Sequence, residues 1–219
     1  ILAAKSAWSA GLGAVVLITP KGLLEVYEKQ LIQIIKKPVG DRDDMYFKKK
    51  HLDQVTEIIQ EKPGKVLIGP GLGRLEETIQ FTQSLIQKLQ GDVLIDADGL
   101  FALSQLDSWE KPDSSNWILT PHRLKLIKEK AGQTNITILS KGMPSIIGTQ
   151  SGDSYLTGYE TRIFSRAGFG DVLAGKIGAY WLTYSSPELA CCHGLLDGFE
   201  KSQQFHSKNS GSLAPIDII

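Results

Sequence analysis

The sequence contains very little cysteine. Its 219 residues include two, Cys191 and Cys192, and as neighbours they cannot crosslink distant parts of the chain. A disulfide-rich secreted framework is therefore excluded. The apolar helical pattern around the pair predicts buried thiols in a reducing, cytoplasmic compartment. The four histidines are scattered, and none has a cysteine or carboxylate at a metal-site spacing, so we predict no metal ion held by side chains alone.

The formal net charge of the chain is zero. The 24 lysines and arginines balance the 24 aspartates and glutamates, so the sequence offers no electrostatic case for binding nucleic acid or an anionic membrane. No apolar run approaches the ~20 residues that span a bilayer. The chain is rich in glycine, with 22 residues, and it is long enough for one α/β domain with a large core.

Short apolar strand patterns alternate with helical patterns along the chain. This alternation is typical of a parallel sheet with helices on both faces, whose ligands bind beyond the carboxyl ends of the strands. Loops at 69–73, 96–98, 120–122 and 141–142 all follow strands and are expected to converge there. Strands are predicted at 13–19, 65–69, 92–96, 117–120 and 135–141, helices at 23–37, 75–90, 171–184 and 187–206, and hairpins within 145–163.

The most informative segment is 165–175, which reads SRAGFGDVLAG. Gly168 and Gly170 precede Asp171 at the start of an apolar helical pattern. Free backbone N–H groups at a helix N-terminus bind anions, and glycine lets a phosphate approach closely. The helix dipole there favours the ionised form of Asp171. The segment predicts a phosphate cradle beside a base for chemistry on a hydroxyl group; the alternative is a structural Asp N-cap after a glycine turn.

Two further motifs combine glycine and carboxylate. The GPGLG loop at 69–73 is neither the dinucleotide fingerprint nor a P-loop, and its alternative interpretation is a tight strand-to-helix turn. The paired carboxylates Asp96 and Asp98 follow a strand and are suited to hold a cation or to order a neighbouring loop. The alternative for Asp98 is a helix N-cap.

A basic residue lies at or just beyond the carboxyl end of two other predicted strands. In TPH at 120–122, the proline fixes the exit from the strand and would direct His122 into the crevice; the alternative is a structural histidine. Lys141 precedes Gly142 at another strand end, where a lysine can meet a phosphate. The alternative for Lys141 is a solvated side chain.

Taken in order, these motifs resemble the ADP/ATP-dependent NAD(P)H-hydrate dehydratases. These are ribokinase-like proteins that also form the C-terminal half of bifunctional nicotinamide-nucleotide repair enzymes. The resemblance implies a single ribokinase-like dehydratase domain over 1–219, with a three-layer α/β/α fold and a mainly parallel central sheet. The motifs that carry it are AKSAWSAGLG at 4–13, GPGLG at 69–73, DAD at 96–98, TPH at 120–122, KG at 141–142, AGFGDVLAG at 167–175 and HG at 193–194.

The resemblance also implies a lyase reaction that uses ADP or ATP with Mg²⁺ to return (S)-NAD(P)H-hydrate to NADH or NADPH, in a cytoplasmic homo-oligomer, often a tetramer. Two alternatives remain: a ribokinase-like kinase of a vitamin-precursor alcohol and a non-catalytic nucleotide-binding module. The implied site has Asp171 as the catalytic base; Gly71, Gly73, His122 and Asp171 against the hydrated dinucleotide; and Lys141, Gly142, Met143, Pro144, Ser145, Gly168 and Gly170 against the adenine nucleotide.

Three of the chain's departures from the family pattern bear on the completeness of the domain and on its site. The family's first strand and its glycine-alanine segment would precede Ile1. Roughly a dozen residues separate His122 from the next strand, too few for a crossover helix with its turns, so internal residues are expected to be missing. Phe169 stands where the family usually has a small residue, which bears on the tightness of the predicted anion pocket.

Overall fold

A computed structural model describes residues 1–61, 64–112, 114–122, 136–149 and 151–219. Strands and helices alternate through most of the chain, and a hairpin precedes the last two helices. The strands are β1 (Val16–Pro20), β2 (Ile35–Val39), β3 (Val66–Ile68), β4 (Val93–Ile95), β5 (Trp117–Leu119), β6 (Ile136–Ser140), β7 (Ile146–Gly148) and β8 (Ser154–Leu156). The α-helices are α1 (Leu2–Ser9), α2 (Leu24–Gln30), α3 (Leu52–Glu61), α4 (Glu76–Lys88), α5 (Ala97–Ser104), α6 (Phe169–Tyr184) and α7 (Pro187–Lys208). Short 3₁₀ helices lie at Lys21–Leu23, Lys49–His51, Arg162–Ser165 and Pro215–Ile218.

The described strands form two sheets. The larger has six strands in the order β3-β4-β5-β6-β7-β8. Its first four strands run parallel, and β7 and β8 add antiparallel pairs at one edge. Strands β1 and β2 pair in parallel as a separate two-stranded sheet. The mainly parallel α/β architecture is confirmed, although the prediction of one central sheet did not anticipate this division.

Alternation along the central strands divides the core into two layers. In β4, Val93 and Ile95 pack in a cluster with residues of α3, α4 and α5. Leu94 points to the opposite face and packs with residues of α6 and α7. Ile118 in β5 likewise packs on the α6 side, away from its neighbours Trp117 and Leu119. A side-chain period of two thus buries both faces of the parallel sheet beneath helices, which gives the predicted three layers.

The helix predicted over 23–37 is wrong in its second half. Helix α2 ends at Gln30, and the chain then forms β2 (Ile35–Val39). Leu31 and Ile34 are buried at the turn between them, so the apolar residues serve a turn and a strand. Pro38 lies within β2, where its missing N–H is tolerated because β2 pairs with one neighbour, β1.

Two predicted N-caps also differ from the structure. Helix α6 begins at Phe169, with Gly168 as its N-cap at φ +81°, and Asp171 lies in the first turn. Helix α5 begins at Ala97, with Asp96 at the N-cap position. The N-cap interpretations of Asp171 and Asp98 are therefore wrong, because each helix begins before the residue that was predicted to cap it.

An apolar cleft of about 500 Å³ lies between the two sheets. Residues of β1 and β3 line it, together with residues of α1 and α6 and of α3 and α4. Gly69–Leu72 and Asp171 also line it. The cleft therefore reaches the loop that follows β3 and the first turn of α6.

Gly69→Ala is expected to lower the free energy of unfolding by more than ~1 kcal/mol, because the native backbone does not accept a side chain there. Gly69 has φ +126°, and an added Cβ would lie 1.7 Å from the Asp96 carbonyl oxygen. Gly71→Ala is the matched control, since Gly71 has φ +68° and no atom within 4 Å of an added Cβ. Urea unfolding compares the two variants, and equal losses would contradict the predicted clash.

Candidate active site

A polar cavity of about 130 Å³ lies at the carboxyl edge of the parallel strands, beside the N-terminus of α6. The loops after β4, β5 and β6 each contribute to it, as predicted. The loop at 69–73, which was expected to converge with them, lines the apolar cleft instead through residues 69–72. The lining residues are Asp96, Ala97, His122, Lys141, Ser165, Arg166, Ala167, Gly168, Gly170 and Asp171.

Lys141 is buried in an ion pair at the wall of this cavity. Its Nζ donates to Asp96 Oδ1 at 2.7 Å, and both side chains are 2% exposed. Thr120 Oγ1 donates to the same carboxylate oxygen at 2.5 Å. An added Cβ on Gly170 would lie 3.4 Å from Lys141 Nζ, so the ammonium group lies beside the first turn of α6. The solvated-lysine interpretation is therefore wrong.

Asp171 is half-buried in the first turn of α6. Burial, followed by the negative charge of Asp96, raises the pKa of its carboxyl group above the ordinary aspartate value. The Lys141 ammonium group acts in the opposite direction. The helix dipole was expected to favour the ionised form, but desolvation and the second carboxylate outweigh it. A carboxylate with a raised pKa is a stronger base than an ordinary aspartate.

His122 lies on the exposed side of the cavity. Desolvation by the surrounding protein, followed by the Lys141 ammonium group, lowers the pKa of the imidazole, and Asp96 partly opposes this. Its neutral form is therefore favoured near neutral pH. As TPH predicted, the histidine lines the crevice.

The GPGLG loop is ordered by Asp98, as the paired-carboxylate motif predicted. Asp98 Oδ2 accepts from the Gly73 N–H at 3.0 Å, and Oδ1 accepts from Arg74 Nε at 2.8 Å. The Arg74 guanidinium group lies over the Phe101 ring, 4.3 Å from its centroid. Gly71 lines the apolar cleft together with Asp171, whereas Gly73 lines neither that cleft nor the polar cavity.

The four residues after Lys141 form a turn between β6 and β7 and do not line the polar cavity. Ser145 Oγ donates to the Gly142 carbonyl oxygen at 3.2 Å, and Thr161 Oγ1 donates to the same oxygen at 2.6 Å. Met143 is 56% exposed in this turn, and Pro144 follows it. The structure therefore brings Lys141 to the cavity and leaves Gly142, Met143, Pro144 and Ser145 beside it.

Phe169 does not enter the cavity. Its ring is 1% exposed in the core beneath α6, and the Arg166 guanidinium group lies 4.9 Å from the ring centroid. The bulky residue between the two glycines therefore leaves the cavity open. Arg166 itself lines the cavity and was absent from the predicted site. A basic residue two positions before Gly168 was its only signal in the sequence.

The described residues contain no group of three or more histidine, cysteine or acidic side chains arranged for a metal ion. Over the same ranges, no helix is long and apolar enough to cross a membrane. Both cysteines are free thiols, with Cys191 buried and Cys192 half-buried in α7. The connection after His122 lies at 123–135, outside the described residues.

A family model described as NAD(P)H-hydrate dehydratase matches residues 1–219. The chain belongs to the NAD(P)H-hydrate dehydratase family. It is 31% identical to a bifunctional NAD(P)H-hydrate repair enzyme from Salinibacter ruber, over 100% of this chain and 44% of that protein. A repair enzyme of the same name from Methanocaldococcus jannaschii is 30% identical over 96% of this chain and 43% of its own length. This member of the family thus spans less than half the length of these relatives.

Solved structures show the fold of this NAD(P)H-hydrate dehydratase family member. The ADP/ATP-dependent NAD(P)H-hydrate dehydratase from Bacillus subtilis, co-crystallized with ATP/Mg²⁺, matches with a TM-score of 0.76 at 21% identity, over 99% of this chain and 80% of that one. A ribokinase-like superfamily protein from Enterococcus faecalis matches with a TM-score of 0.74 at 18% identity, over 99% and 78% of the two chains. The predicted ribokinase-like fold is confirmed.

Proposed function

We propose that this chain is a hydro-lyase that restores NADH or NADPH from its S-hydrated form with ADP or ATP as the dehydrating agent. The observation that carries the proposal is the position of Asp171: a carboxylate with a raised pKa at the start of α6, between the polar cavity and the apolar cleft. Membership of the NAD(P)H-hydrate dehydratase family supports the same reaction.

Lys141, Gly168 and Gly170 are proposed to hold the terminal phosphates of the adenine nucleotide. They line one polar cavity at a helix N-terminus, where N–H groups and the dipole favour anions. The Phe169 N–H already donates to the Arg166 carbonyl oxygen at 3.2 Å. The backbone N–H groups of Gly168 and Gly170, on either side of it, are therefore proposed to bind the phosphate. The turn at 142–145 follows Lys141 directly and would contact the nucleoside.

Mg²⁺ fits this site as an ion carried by the phosphates. The described residues offer no cluster of three acidic or imidazole side chains, and Mg²⁺ usually keeps several waters and binds nucleotide phosphates with one or two carboxylates. When bound, the ion would neutralise phosphate charge. Lys141 adds a fixed positive charge of the protein at the same place.

Asp171 is proposed to accept the proton of the C6 hydroxyl group of the hydrated nicotinamide ring. The oxygen of that hydroxyl group then attacks the terminal phosphoryl group of the nucleotide. The lone pair of the ring nitrogen expels inorganic phosphate from C6. The ring carbon next to C6 then loses a proton, which restores the ring double bond. AMP from ADP, or ADP from ATP, is the second product. The raised pKa of Asp171 suits it to take a proton from a weakly acidic hydroxyl group.

The hydrated dinucleotide is proposed to bind against Gly71, Gly73, His122 and Asp171. Two arrangements support this placement: Gly71 and Asp171 line the same cleft, and Asp171 and His122 line the polar cavity. Asp98 fixes the glycine loop through the Gly73 N–H. We also propose that residues 1–219 act as one dehydratase domain, in the cytoplasm and as a homo-oligomer such as a tetramer.

The test combines the protein with Mg²⁺, ADP or ATP, and the S epimer of hydrated NADH. The expected result is returning NADH absorbance, with inorganic phosphate released in equal amount and no turnover when the nucleotide is omitted. Phosphorylation of a thiazole or pyrimidine alcohol without recovery of NADH would establish the kinase alternative. Nucleotide binding without either reaction would establish a binding module.

A further inference from the structure

The carboxylate of Asp96 has an unusual position. Asp96 is the N-cap residue of α5, yet its side chain makes no capping hydrogen bond, although an aspartate here normally caps the helix. The carboxylate instead accepts from Lys141 Nζ at 2.7 Å and Thr120 Oγ1 at 2.5 Å. The carboxylate thus contacts residues 24 and 45 positions away in the sequence and does not stabilise the start of its own helix.

These contacts connect the ends of three adjacent parallel strands. Asp96 follows β4, Thr120 follows β5 and Lys141 follows β6. All three residues are buried, so the bonds are formed away from competing water, and the ion pair fixes the ammonium group at the cavity wall. A buried ion pair with these partners contributes little net stability compared with apolar residues of similar size, so a role in the site is the stronger explanation.

We propose that Asp96 is a positioning residue of the dehydratase. It holds Lys141 beside the phosphates of the nucleotide, and its negative charge maintains Asp171 as an effective base. This inference rests on the proposed function, and it assigns a role to a residue outside the set that is expected to touch the nucleotide or the dinucleotide.

The charges around Asp171 support the second part of this role. Asp96 and Asp171 line the same polar cavity. After burial, Asp96 makes the largest contribution to the raised pKa of Asp171, ahead of Asp98, which acts in the same direction. Lys141 lowers that pKa, and His122 and Arg166 also line the cavity. Removal of the Asp96 charge should therefore lower the pKa of Asp171 and weaken it as a base.

The test is Asp96→Asn, which keeps the shape of the side chain and an acceptor for Thr120 but removes the charge. The KM for ADP or ATP is expected to rise about 10-fold or more, the usual effect of losing a charged hydrogen bond. The acid limb of the kcat/KM profile should move to lower pH, because that limb reports the pKa of the base. A purely structural role would lower the melting temperature without moving that limb.

Asp98→Asn is the matched control in the same motif. It should alter the KM for hydrated NADH through the glycine loop, while the nucleotide KM stays within about threefold of the wild-type value. The acid limb should move less than in Asp96→Asn, because Asp98 contributes less than Asp96 to the raised pKa of Asp171. If Asp96→Asn does not fold, Asp96→Glu provides the test. It keeps the charge but displaces it by one methylene, so the nucleotide KM should rise while the acid limb remains.

Failure of the inference is distinct from failure of the proposed function. Wild-type protein that does not restore NADH would overturn the proposed function. With wild-type protein that restores NADH, the role of Asp96 would be overturned if folded Asp96→Asn keeps both the wild-type nucleotide KM and the acid limb. The same holds if folded Asp96→Glu keeps the wild-type nucleotide KM.

Discussion

Asp171→Asn is expected to lower kcat by about 10²–10⁴-fold, the usual contribution of a positioned general base. The amide has nearly the shape of the carboxylate and can occupy the first turn of α6, but it does not accept a proton at neutral pH. Restoration of NADH from its S-hydrate measures the loss. The matched control is Asp53→Asn, an exposed acid in the first turn of α3. Near-normal turnover of Asp171→Asn would remove the base assignment.

The same substitution should not destabilise the protein. The pKa of Asp171 is raised in the folded state, so its protonated form favours folding at low pH, and that stability is lost as the pH rises through the ordinary and then the raised value. At neutral pH the ionised carboxylate therefore opposes folding. A melting temperature equal to or above that of the wild type is expected. A large decrease would show that the carboxylate is structural.

The strand pattern could be predicted from the sequence, because short β-branched runs bounded by glycine or polar residues specify buried parallel strands. Segment 31–37 could not, because a run of apolar and lysine residues suits a helix as well as an edge strand. There the long-range pairing of β2 with β1 decides the structure. The local sequence pattern was sufficient where it favoured the same structure as the long-range strand pairing. It failed at 31–37, where the pairing decided between helix and strand.

Apart from Arg166, the charged residues of the candidate site could be identified from the sequence, but the contacts between them could not. Asp96 and Lys141 were noted as separate strand-end residues, and their buried ion pair joins positions 45 residues apart. The pKa of Asp171 shows the same difference. The helix terminus alone predicts a lowered pKa and a favoured ionised form of Asp171. Burial and the charge of Asp96 raise that pKa instead. Effects of that kind require the three-dimensional neighbours of a charge.

A second buried ion pair lies between the last two helices, outside the candidate site. Lys176 of α6 is fully buried and pairs with Asp197 of α7, whose side chain is 20% exposed. Lys201 lies 3.9 Å from the other oxygen of Asp197. Burial lowers the pKa of Lys176, although Asp197 opposes this. Burial and Asp197 together raise the pKa of Tyr180 to about 12. The Asp197 carboxylate thus balances a cation that has no access to water.

Asp197→Ala is therefore expected to cost about 3–5 kcal/mol of unfolding free energy, because it leaves a buried ammonium group uncompensated. Lys176→Met should cost far less, since methionine replaces the buried alkyl chain and Asp197 keeps Lys201 and partial contact with water. The double variant should recover most of the loss, which a double-mutant cycle in urea measures.

The dependence of this loss on pH identifies its cause. Without Asp197, the pKa of Lys176 in the folded protein falls further below its unfolded value. The deficit relative to wild type is then fully present at low pH, where the amine must be charged in both proteins. It shrinks as the pH rises toward the already lowered pKa of Lys176 in the wild type, above which the amine is neutral in both. A deficit that is constant from acid to alkaline pH would instead indicate lost packing between α6 and α7.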